Sequence, residues 1–203
     1  SFELSGFDET KTSLLDSTQY IPVFSNPENP NGIIVDNEDE GFSFDQPTNE
    51  SVLRALIKKK NPPRYPYSGL NSWNPSGSWQ AVLRSGFYGR YIKSAHYTGA
   101  GDGSLVARWR AALPDESYYD VYAHIDKVEM FWFGNRNPNK MDYHYNVYHD
   151  DGVEAVNLRE EEIESGWNYL GTYFISPENA RVELTNESTG RMVIADAVKW
   201  EKK

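Results

Sequence analysis

The chain contains no cysteine. That removes disulfide staples, thiol nucleophiles and cysteine-ligated zinc together. Long hydrophobic runs are missing as well, and nothing approaches the ~20 apolar residues a membrane-spanning helix needs. Histidine is scarce: the four sit at 96, 124, 144 and 149, with no HExxH pair among them. No GxSxG elbow occurs. The glycine-rich GAGDG at 99–103 runs into strand-like sequence rather than a helix N-terminus, so it lacks the setting that cradles a phosphate. Positive charge is in deficit, at a net −10, which argues against nucleic acid and anionic membrane as partners. No recognisable catalytic apparatus remains.

What is present is aromatic. Phe, Trp and Tyr make up 14% of 203 residues, with 14 Tyr and 6 Trp. The length suits one good-sized domain able to bury a core without staples, and no internal repeat or second boundary is visible. Residues 1–31, ending in NPENPN, read as an extended lead-in. The expected domain runs over 32–203. Its methionines fall at 130, 141 and 192, so the expectation is a mature or excised chain.

One segment, residues 49–60, predicts a helix. Thr48 or Asn49 caps it, Glu50 suits its dipole, Val52, Leu53, Leu56 and Ile57 share a face, and Pro62-Pro63 ends it. Beyond it the sequence is strand-like: SWQAVLR, SLVARWRAAL, YYDVYAHI, MDYHYNVYH, VEAVNL, NYLGTYFI, ARVELTN and MVIADAVKW, mostly separated by Gly, Pro, Asn or Asp. Alternation in LVARWRAAL puts Leu105, Ala107 and Trp109 on one face. Short strands without interleaved helices predict an all-β antiparallel sandwich.

NVYHDDGVEAV, at 146–156, sets a histidine beside two aspartates. Read as a hairpin with Asp151-Gly152 at its turn, it pairs Val147 with Val156, Tyr145 with Leu158 and His149 with Glu154. That makes a consistent buried face, which a metal site would not require. The acidic run 36–40 offers oxygens for calcium through Asp36 and Asp39, although EF-hand spacing is absent; a solvated acidic turn is the alternative. Glu160, Glu161, Glu162 and Glu164 read as a solvated connection. Trp79, Trp109, Trp167 and Trp200 lie in or beside strands, where core packing is the default. Trp73 sits with Tyr65 and Tyr67 in an Asn/Ser/Pro loop. Phe131, Trp132 and Phe133 adjoin Asn135 and Arg136 in a second loop. Flat rings beside Asn and Arg suit sugar stacking; the competing reading tucks the phenylalanines into the core.

GIIVDNEDEGF, GSW, FYGRYI, GDGSLVARWRAALP, YYDVYAHI, YNVYHDDGVEAV, GWNYLGTYF and GRMVIADAVKW follow in order. The set resembles the golvesin C-terminal-like family, also called the xanthan-lyase carbohydrate-binding-like domain, of secreted bacterial and particularly Bacteroidetes proteins. The resemblance spans about residues 32 to 200. It implies a jelly-roll-type β-sandwich and a non-catalytic accessory module, with Trp79, Trp109, Trp167, Gly171, Asp196 and Trp200 as framework. Against that pattern, residues 47–75 look like an insertion, and the loop over 127–140 is enlarged.

The expectation is therefore an extracytoplasmic module that binds a polysaccharide or surface glycan through Trp132, Phe131, Phe133, Trp73, Tyr65, Tyr67, Asn135 and Arg136, without a cofactor beyond a structural calcium ion. The rivals are a structural domain packed against a neighbour in a longer chain and, least favoured, a polysaccharide lyase or hydrolase.

Overall fold

The computed structural model describes residues 32–45, 67–127 and 141–203. All of these belong to one compact unit, Asn31–Lys203. The predicted helix over 49–60 lies outside the described residues, as do Tyr65, Phe131, Trp132, Phe133, Asn135 and Arg136.

Among the described residues there are twelve strands: β1 (Gly32–Val35), β2 (Phe42–Phe44), β3 (Gln80–Leu83), β4 (Ser94–Gly99), β5 (Val106–Arg110), β6 (Ser117–Ile125), β7 (Tyr143–His149), β8 (Gly152–Leu158), β9 (Gly166–Ile175), β10 (Arg181–Thr185), β11 (Met192–Ala195) and β12 (Val198–Lys202). They form antiparallel sheets ordered β1-β12-β6-β9, β2-β5-β10-β7-β8 and β11-β4-β3. With β3, β4, β5 and β11 set aside, the eight remaining strands fall into β1-β12-β6-β9 and β2-β10-β7-β8, the connectivity of a jelly roll. Strand β5 is inserted between β2 and β10, and the three-stranded sheet is an addition. The fold is an all-β sandwich, as expected.

Alternation builds the core. Tyr119, Val121, Ala123 and Ile125 of β6 and Val198 and Trp200 of β12 turn inward from the first sheet. Ala107 and Trp109 of β5, Tyr145 and Val147 of β7 and Val182 and Leu184 of β10 turn inward from the second. Leu105, Ala107 and Trp109 are buried together, as their spacing predicts. MVIADAVKW breaks into two strands at Asp196-Ala197, whereas SAHYTG and FSF carry too weak an apolar pattern to read as strands from sequence.

The hairpin register differs from the expected one by two residues. Tyr145 pairs with Val156, Val147 with Glu154 and His149 with Gly152. Asp150 and Asp151 are the connecting residues, and Gly152 closes the turn at φ +133°. A two-residue shift preserves the alternation, so the same faces are buried. The cause is tertiary. Asp150 Oδ1 accepts from Ser176 N (2.9 Å) and Asn179 Nδ2 (2.8 Å), and Oδ2 accepts from Ser176 Oγ (2.6 Å). These bonds tie the hairpin tip to the 3-10 turn Pro177–Asn179. His149 stacks on Tyr173 at 4.9 Å.

Candidate functional site

The outward residues of β6 are Tyr118, Asp120, Tyr122 and His124. Their partners on β9 are Phe174, Thr172, Tyr169 and Trp167. Keeping both sets on one face takes a bulge, because the register shifts between Val121 and Tyr122 and leaves Leu170 as the extra, buried residue. Gly171 sits there at φ +147°, and a Cβ on it would run into the Tyr173 ring. Glycine is required by both conformation and space.

Four rows result. His124 and Trp167 meet edge-to-face with centroids 5.1 Å apart, Tyr122 and Tyr169 at 5.4 Å, and Tyr118 and Phe174 at 5.3 Å. The remaining row is polar: Thr172 Oγ1 donates to Asp120 Oδ1, beside Tyr169 Oη, 2.5 Å from Thr172 Oγ1. At two residues per step the strip is about 20 Å long. Tyr118 is 57% exposed and Tyr169 52%. From β12, Lys199 Nζ reaches over Tyr122 (4.4 Å) and Trp167 (5.2 Å) while pairing with Glu201 (3.1 Å). The surface is mainly aromatic, crossed by one polar row and edged by hydroxyls and charges.

One end of the strip is anchored through Asp196. Its side chain is buried, His124 Nδ1 lies 2.8 Å from Oδ2, and Tyr88 N donates to both carboxylate oxygens (3.2 and 3.1 Å). Burial raises the Asp196 pKa, opposed by the hydrogen bond and charge of His124. The Asp196 carbonyl also accepts from Trp109 Nε1 (3.1 Å). Tyr88 packs on Trp167 at 5.3 Å and on His124 at 5.7 Å, extending the strip beyond the strand ends.

The outward face of the second sheet is different in kind. Arg108 holds Asp45 through both terminal nitrogens (2.7 and 2.9 Å) and Glu183 through Nε (3.0 Å). Tyr148 Oη donates to Glu183 (2.9 Å), and Arg181 lies 3.5 Å over the Tyr148 ring. Charge is paired with charge there.

The sequence-derived candidates scatter. Trp73 is 71% exposed. Tyr67 Oη donates to Glu38 Oε1 (3.1 Å), which also accepts from Ser94 Oγ (2.6 Å). In the same acidic turn Asp36 N donates to Asp39 Oδ2 (2.8 Å) and Asn37 N to Asp36 Oδ1 (2.8 Å). Buried Asn37 turns its amide nitrogen to Ser94 O (2.7 Å) and Asp36 Oδ1 (3.0 Å). Burial, with the charge of Asp196, pushes Asp36 up to about 7. Nearby, His96 lies against Phe42 and Phe44 at 5.1 and 4.7 Å and is pushed down to about 4 by burial. Among the described residues no group of three or more His, Asp or Glu side chains is placed to hold a metal ion.

Trp167 departs from its expected place in the core, lying instead on the outward face with His124. The inward neighbour is Asn168, whose amide binds Glu164 N and O (both 2.8 Å) and Gly166 O (3.0 Å). The outward set Tyr118, Tyr122, Tyr169 and Phe174 escaped sequence reading because strand aromatics default to the core.

These features define a jelly-roll module with an aromatic outer face. The chain belongs to the golvesin C-terminal domain family, whose pattern matches residues 68–202. No curated protein matches the sequence. Among solved structures, xanthan lyase of Paenibacillus is similar at 21% identity and a TM-score of 0.55, over 85% of this chain and 13% of that one. The chain thus spans a small part of that protein, and the likeness shows a shared fold. The K1 cleaved adhesin domain of Lys-gingipain from Porphyromonas gingivalis W83 aligns at 10% identity and a TM-score of 0.40, over 85% and 98% of the two chains. The CBM22-1-GH10 portion of Clostridium thermocellum xylanase 10B aligns at 14% identity and 0.34, over 62% and 25%. Among the described residues, no helix is long and apolar enough to cross a membrane.

Proposed function

We propose that the domain is a non-catalytic, extracytoplasmic accessory module that binds a polysaccharide along the outward face of the β1-β12-β6-β9 sheet. The carrying observation is the strip in which Trp167, Tyr169, Tyr122, Tyr118 and Phe174 stand outward beside His124, with half-exposed tyrosines. Sugar rings offer C–H faces to flat aromatics and hydroxyls to polar edges, and the strip supplies both kinds of partner. The other sheet supports the reading by contrast, since the described side chains at its centre, Arg108, Asp45, Glu183, Tyr148 and Arg181, are engaged with one another. Membership in the family, and the fold shared with xanthan lyase, favour a module appended to a larger protein. Exposed Trp73 is a second contact in this reading, and the loop aromatics Tyr65, Phe131, Trp132 and Phe133 are further candidates.

Affinity gel electrophoresis against neutral and acidic polysaccharides tests the proposal. Wild-type protein is retarded by at least one polymer, and Tyr169→Ala and Tyr118→Ala lose that retardation while keeping the wild-type melting temperature. Equal migration of all three proteins in every gel sinks it.

A further inference from the structure

Charge is unevenly placed along the chain. From Ser51 to Gly101 there are eight of the 20 basic residues and none of the 30 acidic ones, a formal +8 within a chain of −10, so the remaining residues carry −18. Among the described residues these bases are Arg84, Arg90 and Lys93, in and beside the loop joining β3 to β4, and Arg84 is matched by Asp126.

That loop is held in shape at several points. Phe87, 1% exposed, pins it to the core. Arg84 N donates to Lys93 O (3.1 Å) and Phe87 N to Arg84 O (3.2 Å), closing its base. Arg84 Nε pairs with Asp126 at 2.6 Å, and Gly86 packs so closely on that carboxylate that a Cβ has no room. Gly89 turns the chain at φ +136°, and a Cβ there would meet the Ile92 carbonyl. Tyr88 N is held by Asp196. From this base Arg90, Tyr91, Ile92 and Lys93 all stand exposed, Tyr91 at 78%. Arg90 Cζ lies 5.5 Å from the Tyr91 ring centroid.

We infer that the Arg90–Tyr91 tip recognises the carboxylate-bearing sugar of an acidic polysaccharide. The inference rests on the polysaccharide reading above and narrows its ligand to a uronate-bearing polymer. A guanidinium matches a carboxylate with two parallel hydrogen bonds, and the adjacent ring offers its face to the sugar carrying that carboxylate. Lys93 adds attraction at longer range. The tip shares its loop with Tyr88, three residues before Tyr91, which packs on Trp167 and His124 of the aromatic strip. A single polymer strand meets the basic loop and the strip. A membrane or nucleic-acid duplex also meets the acidic remainder of the surface, which repels it.

The test is isothermal titration of wild-type protein, Arg90→Ala, Arg90→Lys and Tyr91→Ala. The probes are polygalacturonate, alginate, methyl-esterified polygalacturonate, a neutral β-glucan and anionic phospholipid vesicles. Expected is binding to a uronate polymer that weakens at least tenfold on esterification, in Arg90→Ala and in Tyr91→Ala. Arg90→Lys recovers part of the loss, rising salt weakens the complex, and all variants keep the wild-type melting temperature. Equal affinity for neutral or esterified polymer, or unchanged binding by Arg90→Ala, overturns the inference and leaves the polysaccharide reading standing. Binding to no polysaccharide overturns both, and binding to the vesicles alone overturns both in favour of a lipid surface.

Discussion

Asp196 concentrates several structural tasks in one residue. Its carboxylate fixes His124 and the Tyr88 amide, and its carbonyl takes the Trp109 indole proton. Replacing it with alanine removes the acceptor of the part-buried Tyr88 N–H and the partner of the His124 ring, and frees the loop after β3. We expect Asp196→Ala to cost about 3 kcal/mol in urea unfolding; a loss under about 0.5 kcal/mol contradicts the role given to it. A second residue-scale expectation concerns pH. Asp36, raised from 3.8 to about 7, holds in the folded state a proton that the unfolded chain releases, so its contribution to stability falls as pH rises through that interval. His96 runs the other way. Lowered from 6.5 to about 4, it costs stability as pH falls through that range, because the unfolded chain takes the proton first. Asp36→Asn therefore gains on wild type as pH rises. The difference between their melting temperatures is larger at pH 8 than at pH 5, and a difference that does not move with pH speaks against the raised pKa.

At the scale of elements, the strands were legible and the faces of β9 were not. LVARWRAAL declares its buried side because its inward residues are apolar and its outward ones are mostly charged. GWNYLGTYFI does not: a bulge at Leu170-Gly171 breaks the period of two, and an asparagine points inward where a tryptophan points out. Local bonds from the Asn168 amide to Glu164 and Gly166, four and two residues back, hold that inversion, and apolarity alone does not announce them. The hairpin turn was mislocated for a different reason, since the bonds from Asp150 to Ser176 and Asn179 join residues distant in sequence. The bulge makes its own prediction. Gly171→Ala forces a side chain into a positive-φ position already filled by the Tyr173 ring, and destabilises by about 1–3 kcal/mol in the same unfolding assay. Polysaccharide binding falls with it if the bulge is what aligns Trp167 and Tyr169 with Thr172 and Phe174; unaltered stability excludes the steric account.

For the whole molecule, composition gave class but not location. The run of short strands without interleaved helices pointed to an all-β domain, and the ordered motifs to the family. The proposed binding surface was harder to read, because aromatic abundance alone does not say which rings face solvent. A jelly roll has two outward faces, and here one carries paired charges while the other carries rings. The central claim is that the ringed face takes an extended polymer along its length. The most direct measurement is affinity by isothermal titration as a function of oligosaccharide length, using a polymer that the wild-type protein retains. The account predicts that affinity rises with each added sugar until the chain spans the strip of about 20 Å and then levels off. It also predicts that Trp167→Ala and Tyr118→Ala, at opposite ends, shorten the length at which it levels. A monosaccharide bound as tightly as a long oligomer, with both variants unaffected, would contradict it.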